Sequence, residues 1–280
     1  MLCYLLLYRD RHHPRETLAG VLWENSTTSQ SKKYLRQALW QLNVSLHSLP
    51  GSINTRLFLV ELDWIRLNPE ANIWLDVAEF EQAFSHTKRI PGRDLDSGQV
   101  WSLHEAVQLY KGHLLEGWYQ DWCLFERERL QLMYLTMLDK LMSHCETQND
   151  FERGVRYGTR IMAIDRARER THRRLMRLYY LDGDRTAALR QYEHCADALG
   201  EELGVKPGQR TIELLNQIQQ DHLDDPSHLS PETSMMQDAM NSPLQDVRDD
   251  LKQLDVGLSD IQRRVHQDIQ ALELALKEQL

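Results

Sequence analysis

Ser31-Lys32-Lys33-Tyr34-Leu35-Arg36-Gln37-Ala38-Leu39-Trp40-Gln41-Leu42-Asn43-Val44-Ser45-Leu46 decides how this chain is read. At roughly 100° per residue, Leu35, Leu39, Leu42 and Leu46 form one apolar stripe. Lys33, Arg36, Gln37 and Trp40 point away from it, and Lys32 lies on the flank. A helix so divided packs one side on its own domain. The other side offers cations to neutralise phosphates and an amide able to bond base edges. An ordinary amphipathic surface helix is the alternative this segment alone leaves open.

The surrounding sequence extends the pattern. A shorter amphipathic element, Arg15 to Trp23, adds Leu18, Val21 and Leu22 to a shared core, and a polar connection, Glu24 to Gln30, joins the two. Leu49-Pro50-Gly51-Ser52 ends the long helix. Strand-prone runs follow at Arg56 to Val60 and Trp64 to Leu67, separated by Glu61-Leu62-Asp63. Helix, turn, helix and hairpin together describe a winged helix. Its hairpin is expected to bring Arg56 or Arg66 to a sugar-phosphate backbone, positioning the domain without reading sequence.

The chain is acidic as a whole, with a formal net charge of −9, yet its charge is uneven. Residues 1–60 carry seven Lys or Arg against three acids, a net of +4, which leaves −13 for the rest. A basic head on an acidic body suits a specific nucleic-acid binder whose other surfaces repel DNA. The 280 residues accommodate about two domains with extensions. No stretch approaches the roughly 18 uninterrupted apolar residues of a membrane span. Met1 to Tyr8 lacks the basic leader and cleavage site of a signal peptide. Cys3, Cys123, Cys145 and Cys195 stand far apart, as free thiols of a reducing cytoplasm do.

Beyond Pro69 the sequence is almost wholly helical, with an internal repeat. Leu141-Met142 recurs as Leu175-Met176 and Asn149-Asp150 as Gly183-Asp184, both at an interval of 34 residues. That is the period of tetratricopeptide repeats, in which each helix pair completes its core against the next. Leu175 to Leu181 ends a first helix, and Ala187, Ala188 and Tyr192 begin a second. A fainter third copy is expected around Leu109 to Leu141. Trp118 and Trp122, four apart, are expected to share a packed helix face; a ligand or partner groove lined by Trp118, Tyr119 and Trp122 is the alternative. Glu126-Arg127-Glu128-Arg129 reads as a solvated face with local ion pairs.

Catalytic patterns are missing: there is no phosphate-cradling Gly-x-x-x-x-Gly-Lys, no Gly-x-Gly-x-x-Gly and no Gly-x-Ser-x-Gly. His104-Glu105 is followed by Gln108 where a zinc-binding helix needs its second histidine. His12, His13 and the other histidines show no ligand spacing and are expected at the surface. The chain therefore reads as a non-enzyme without cofactor or metal.

These residues resemble the SARP-type regulators (Streptomyces antibiotic regulatory proteins), which join a winged helix to a bacterial transcriptional activator domain of tetratricopeptide-like repeats. Leu35-Arg36-Gln37-Ala38-Leu39-Trp40-Gln41-Leu42 looks like that family's recognition helix. Arg66-Leu67-Asn68-Pro69 and Leu75-Asp76-Val77-Ala78-Glu79-Phe80-Glu81 look like its junction. Leu114-Leu115-Glu116-Gly117-Trp118-Tyr119-Gln120-Asp121-Trp122, with Glu126 to Leu130, matches the entrance to the activator domain. Ala187 to Glu193 and Glu201-Glu202-Leu203-Gly204-Val205-Lys206-Pro207 match its close.

The resemblance covers about residues 1–220. It implies a cytoplasmic bacterial regulator that binds double-stranded promoter DNA and helps recruit RNA polymerase. Two departures stand out. The family's small opening sheet is absent before the first helix, which predicts exposure of Leu5, Leu6 and Leu7. Pro14 stands where a capping hydroxyl is usual, a mild change because proline is tolerated in a first helical turn.

After His222, a polar tract with Pro226, Pro231 and Pro243 reads as a linker. Leu244, Val247, Leu251, Leu254, Leu258, Ile261 and Val265 then follow heptad spacing, and Ile269, Leu272, Leu276 and Leu280 continue it after a stutter. The seam suits a homodimer that pairs two winged helices; a lone helix folding back on the repeats is the alternative. The expected organisation is mostly α: a winged helix-turn-helix lacking its N-terminal sheet (1–72), a tetratricopeptide-like activator domain (73–222), a linker (223–243) and a coiled-coil helix (244–280). The expected DNA-binding residues are Lys32, Lys33, Arg36, Gln37, Trp40, Arg56 and Arg66. The competing reading is a repeat scaffold for proteins whose degenerate winged helix does not bind DNA.

Overall fold

The computed structural model describes residues 1–47 and 57–222. By internal contacts the chain divides into two compact units, residues 1–212 and 213–280. Arg56, the linker and the heptad segment lie outside the described residues.

The first unit opens with α1 (Leu2–Leu7), a two-residue strand β1 (His13–Pro14), α2 (Arg15–Leu22) and α3 (Thr28–His47), then the hairpin β2 (Phe58–Val60) and β3 (Trp64–Leu67). The strands form one antiparallel sheet in the order β1-β3-β2, with His13 opposite Ile65 and Phe58 opposite Leu67. Strand β1 holds an edge, where a proline without an N–H is tolerated. The expected stripe of α3 closes the core: Leu35 and Leu39 are buried with Leu18, Phe58 and Ile65, while Leu42 and Leu46 pack partly against them.

Helix α3 begins at Thr28, three residues before the expected Ser31. Ser31 Oγ donates to the Thr27 carbonyl at 2.8 Å, a hydroxyl bonding back one turn, so the polar Thr-Ser run continues the helix instead of breaking it. Pro14 stands at the N-cap of α2, with no side-chain capping bond. The predicted exposure of Leu5 to Leu7 is corrected: Leu5 is fully buried, Leu7 is buried and Leu6 is half-buried. The reason is that α1 turns Tyr4 and Leu5 into the same core, and the Tyr4 ring meets Trp122 edge-on at 5.2 Å. His13 is buried as well, not at the surface, because β1 carries it under Tyr8, whose carbonyl lies 3.0 Å from its Nε2.

The helical array follows: α4 (Asp76–Thr87), a 3-10 turn (Gly92–Asp94), α5 (Ser97–Leu109), α6 (Asp121–Thr147), α7 (Phe151–Met162), α8 (Glu169–Leu181), α9 (Arg185–Leu203) and α10 (Gln209–Gln219). The 34-residue repeat is a repeat of turn geometry. Asn149 and Gly183 both take positive φ (57° and 84°), and Asp150 and Asp184 cap the next helices by accepting from Arg153 N and Ala187 N. Their own amides reach the carbonyls of Cys145 and Tyr179, each 2.9 Å away and again 34 apart. Such closures satisfy carbonyls that a helix end otherwise leaves open.

The third copy lies elsewhere than expected. Leu109 ends α5, Tyr110 to Gln120 is non-helical, and the additional helix pair is α4 with α5. Close approach of the layers depends on small residues. A Cβ on Gly158 would stand 2.6 Å from Leu175 Cδ2, and one on Gly92 would meet the backbone of Lys140 in α6. Leu103, Val107, Leu138, Met142, Ile161, Leu175 and Leu178 form one continuous core.

Three further expectations are corrected here. Trp118 and Trp122 share no helix face, because Gly117 turns the chain at φ 84° before α6 begins; Trp118 is exposed while Trp122 packs on the winged-helix core. The Glu126 to Arg129 run is not a solvated face. Glu126 is 3% exposed, and Arg127 ties down the preceding loop through the carbonyls of Leu114, Leu115 and Trp118 at 2.9–3.1 Å. His172 is buried between the Arg166 carbonyl (2.8 Å) and the Gln191 amide (2.6 Å), and burial holds its pKa below the ordinary imidazole value.

Candidate nucleic-acid interface

Helix α3 presents the expected polar face. Lys33, Arg36 and Gln37 are exposed and Trp40 is 66% exposed, and the face continues through Gln41 and Val44. Lys33, Gln37 and Trp40 recur at intervals of four and three, so they stand above one another on one side of the helix. The first turn of α3 contains no acidic side chain. Lys32 is exposed but already partnered: its Nζ lies 2.5 Å from Glu16 Oε1 of α2 and holds that carboxyl below its ordinary pKa.

Lys32 and Arg36 border a groove of about 560 Å³, whose opposite wall is Arg15 and the hairpin turn Leu62-Asp63. Arg15 fixes that wall. Its backbone N–H donates to the Asp63 carbonyl at 2.9 Å and its Nη1 to the Glu61 carbonyl at 3.2 Å. The N-terminus of α2, the flank of α3 and the hairpin turn are thus tied into one surface. Its cations belong to the helices, whereas Glu61 and Asp63 make the turn acidic. Arg15 was not among the expected site residues; its signal in the sequence was its place at the first turn of α2.

Arg66 does not join this face. It lies over the Trp64 ring (5.5 Å), with Nη1 3.3 Å from His12 Nε2, and lines a separate pocket with Arg9, Arg11 and Asn68. The reason is strand alternation: Ile65 is buried, so Arg66 points to the opposite side of the sheet. The structure thus brings together Lys32, Lys33, Arg36, Gln37 and Trp40 and sets Arg66 apart.

Behind the winged helix runs a set of ion pairs to the helical array. Arg9 Nη2 meets Glu81 Oε2 at 2.6 Å, Arg129 bridges Glu81 and Glu126, and the Arg129–Glu126 contact is 2.6 Å. Burial, followed by a hydrogen bond with Glu126, raises the Tyr8 phenol pKa.

The described fold is thus a winged helix with an exposed, cation-bearing third helix, followed by stacked helix pairs. Residues 75–219 match the family model of the bacterial transcriptional activator domain, more than half of the chain, and the chain belongs to that family. No curated protein matches the sequence. Among solved structures, Mycobacterium tuberculosis EmbR in complex with a low-affinity phosphopeptide is similar in fold, with a TM-score of 0.56 and 20% identity over 80% of this chain. The match covers 59% of the EmbR chain, so this chain spans about three fifths of that length.

Proposed function

We propose that the protein is a bacterial transcriptional activator that binds double-stranded promoter DNA through α3 and contacts RNA polymerase or another protein through its tetratricopeptide-like repeats. The single observation that carries this is the face of α3, where Lys33, Arg36, Gln37 and Trp40 are exposed together above a packed core. Inserted in the major groove, Gln37 can bond the edge of an adenine, Lys33 and Arg36 neutralise phosphates, and Trp40 covers the groove edge. Lys32 supports this from the flank, with Glu16 as its competitor.

Residues 1–72 act as the DNA-binding unit and 73–222 as the activator domain. The exposed Trp101 and Leu132 support a protein-binding role for the repeats. Dimerisation through 244–280 places two recognition helices on paired half-sites and raises affinity by effective concentration. The protein works in the cytoplasm without catalysis, a reading its activator-domain family supports.

The test is a gel-shift titration of the full chain against fragments of the genome from which it comes, at several salt concentrations. Retardation of particular fragments, weakening linearly in log affinity against log salt, is expected. Equal, weak binding of every fragment supports the scaffold reading instead.

A further inference from the structure

The second pocket of the winged-helix region has features that a DNA-reading role leaves unexplained. It encloses about 410 Å³, within the range of small-molecule sites. Its walls come from the end of α1 and the segment after it, the end of β3, the connection that follows and the start of α4. Its lining includes the apolar Leu6, Leu67, Ile73, Leu75 and Ala78. It also includes Arg9, Arg11, His12 and Arg66, with Asp10 as the one carboxylate in the lining.

The cations are held in an unusual way. Arg9 is neutralised by Glu81. Arg11 and Arg66 instead rest on ring faces, Arg11 over Tyr8 at 4.3 Å and Arg66 over Trp64 at 5.5 Å, and neither is ion-paired with a carboxylate among the described residues. Arg66 Nη1 meets only the His12 ring nitrogen, and its Nε is buried without a hydrogen-bond partner among those residues. A buried guanidinium donor left unpaired costs stability, and its fork geometry matches a carboxylate or a phosphate. Ring stacking orients both arginines; Arg66 Nε is itself buried, so the groups offered to a ligand are Arg66 Nη2 and the exposed Arg11.

We propose that this pocket binds a small organic anion, a carboxylate or phosphate monoester with an apolar body. Arg66 and Arg11 take the anionic head, and the Leu6, Leu67 and Ile73 wall takes the body. Asp10 disfavours a ligand that carries negative charge on both ends.

Calorimetric titration of the full chain with phenyl phosphate tests this, with inorganic phosphate and benzyl alcohol as the two half-ligands. Phenyl phosphate is expected to bind more tightly than either half. Arg66→Gln is expected to weaken it by about tenfold or more, the loss of a charge-assisted contact. Arg11→Gln, at an exposed position, should do the same and serves if Arg66→Gln fails to fold. Absence of binding to the unmodified chain, or an affinity in both variants equal to that of the unmodified chain, overturns the proposal. A parallel gel shift separates the other source of phosphate. If Arg66→Gln lowers duplex affinity and its salt slope while phenyl phosphate never binds, these cations serve the DNA backbone and the small-molecule site is refuted. If phenyl phosphate binds whether or not duplex is retarded, the pocket stands independently of the DNA-binding reading.

Discussion

Replacing Lys33 and Arg36 together by alanine is expected to weaken duplex binding by about one to two orders of magnitude and to flatten its salt dependence by about two in the log–log slope, because each neutralised phosphate contributes roughly 0.9. Both side chains are exposed on α3 and neither supports the Leu35–Leu39 stripe, so the melting temperature should barely move. That separation distinguishes a lost contact from a damaged fold. Gln37→Ala should behave differently, leaving the slope intact and relaxing preference at one base pair by about 1–3 kcal/mol. Unchanged affinity and slope in the double variant, measured by gel shift or fluorescence anisotropy across salt, would remove α3 from the interface.

The second large effect concerns stability. Arg129→Met is expected to destabilise the protein by about 3 kcal/mol, measured by denaturant unfolding. Arg129 lies between two carboxylates, and Glu126 is 3% exposed, so removing the guanidinium leaves a buried charge that water cannot reach. Glu81 keeps Arg9 and suffers less. The cause is therefore the orphaned Glu126, which makes a second outcome predictable. Adding Glu126→Gln to Arg129→Met should restore much of the loss, since removing both members of a buried pair costs far less than removing one. A double variant no more stable than Arg129→Met would show that packing of the Arg129 stem, not charge, holds this region. Because Arg9 and Tyr8 share the network, its disruption also loosens the seat of the winged helix on α4 and α6.

What the sequence revealed depended on local periodicity. The stripe of α3 is written in four leucines at helical spacing, and the repeat in two turns 34 residues apart whose Asn149 and Gly183 both adopt positive φ. Strand β1 left no such trace, since a two-residue edge strand containing Pro14 has no alternation to read. The burial of Leu5 was hidden for another reason: the core it joins is packed against by Trp122, more than a hundred residues away, which meets the neighbouring Tyr4. Glu126 shows the same limit in part: its local pair with Arg129 was legible in the run, whereas its burial, with Tyr8 hydrogen-bonded to it from far along the chain, was not. Arg66 was legible as a cation near the hairpin. Its side of the sheet follows only once Ile65 is known to face the core.

Whether α3 enters the DNA groove is answered by position-specific photo-crosslinking. A photoreactive phenylalanine is placed at Gln37, and a control at the exposed Trp101 of α5. With α3 in the major groove, irradiation of the protein bound to its genomic fragment yields crosslinks to bases from position 37 and none from position 101. Crosslinks absent at 37, or equal at both positions, contradict that placement.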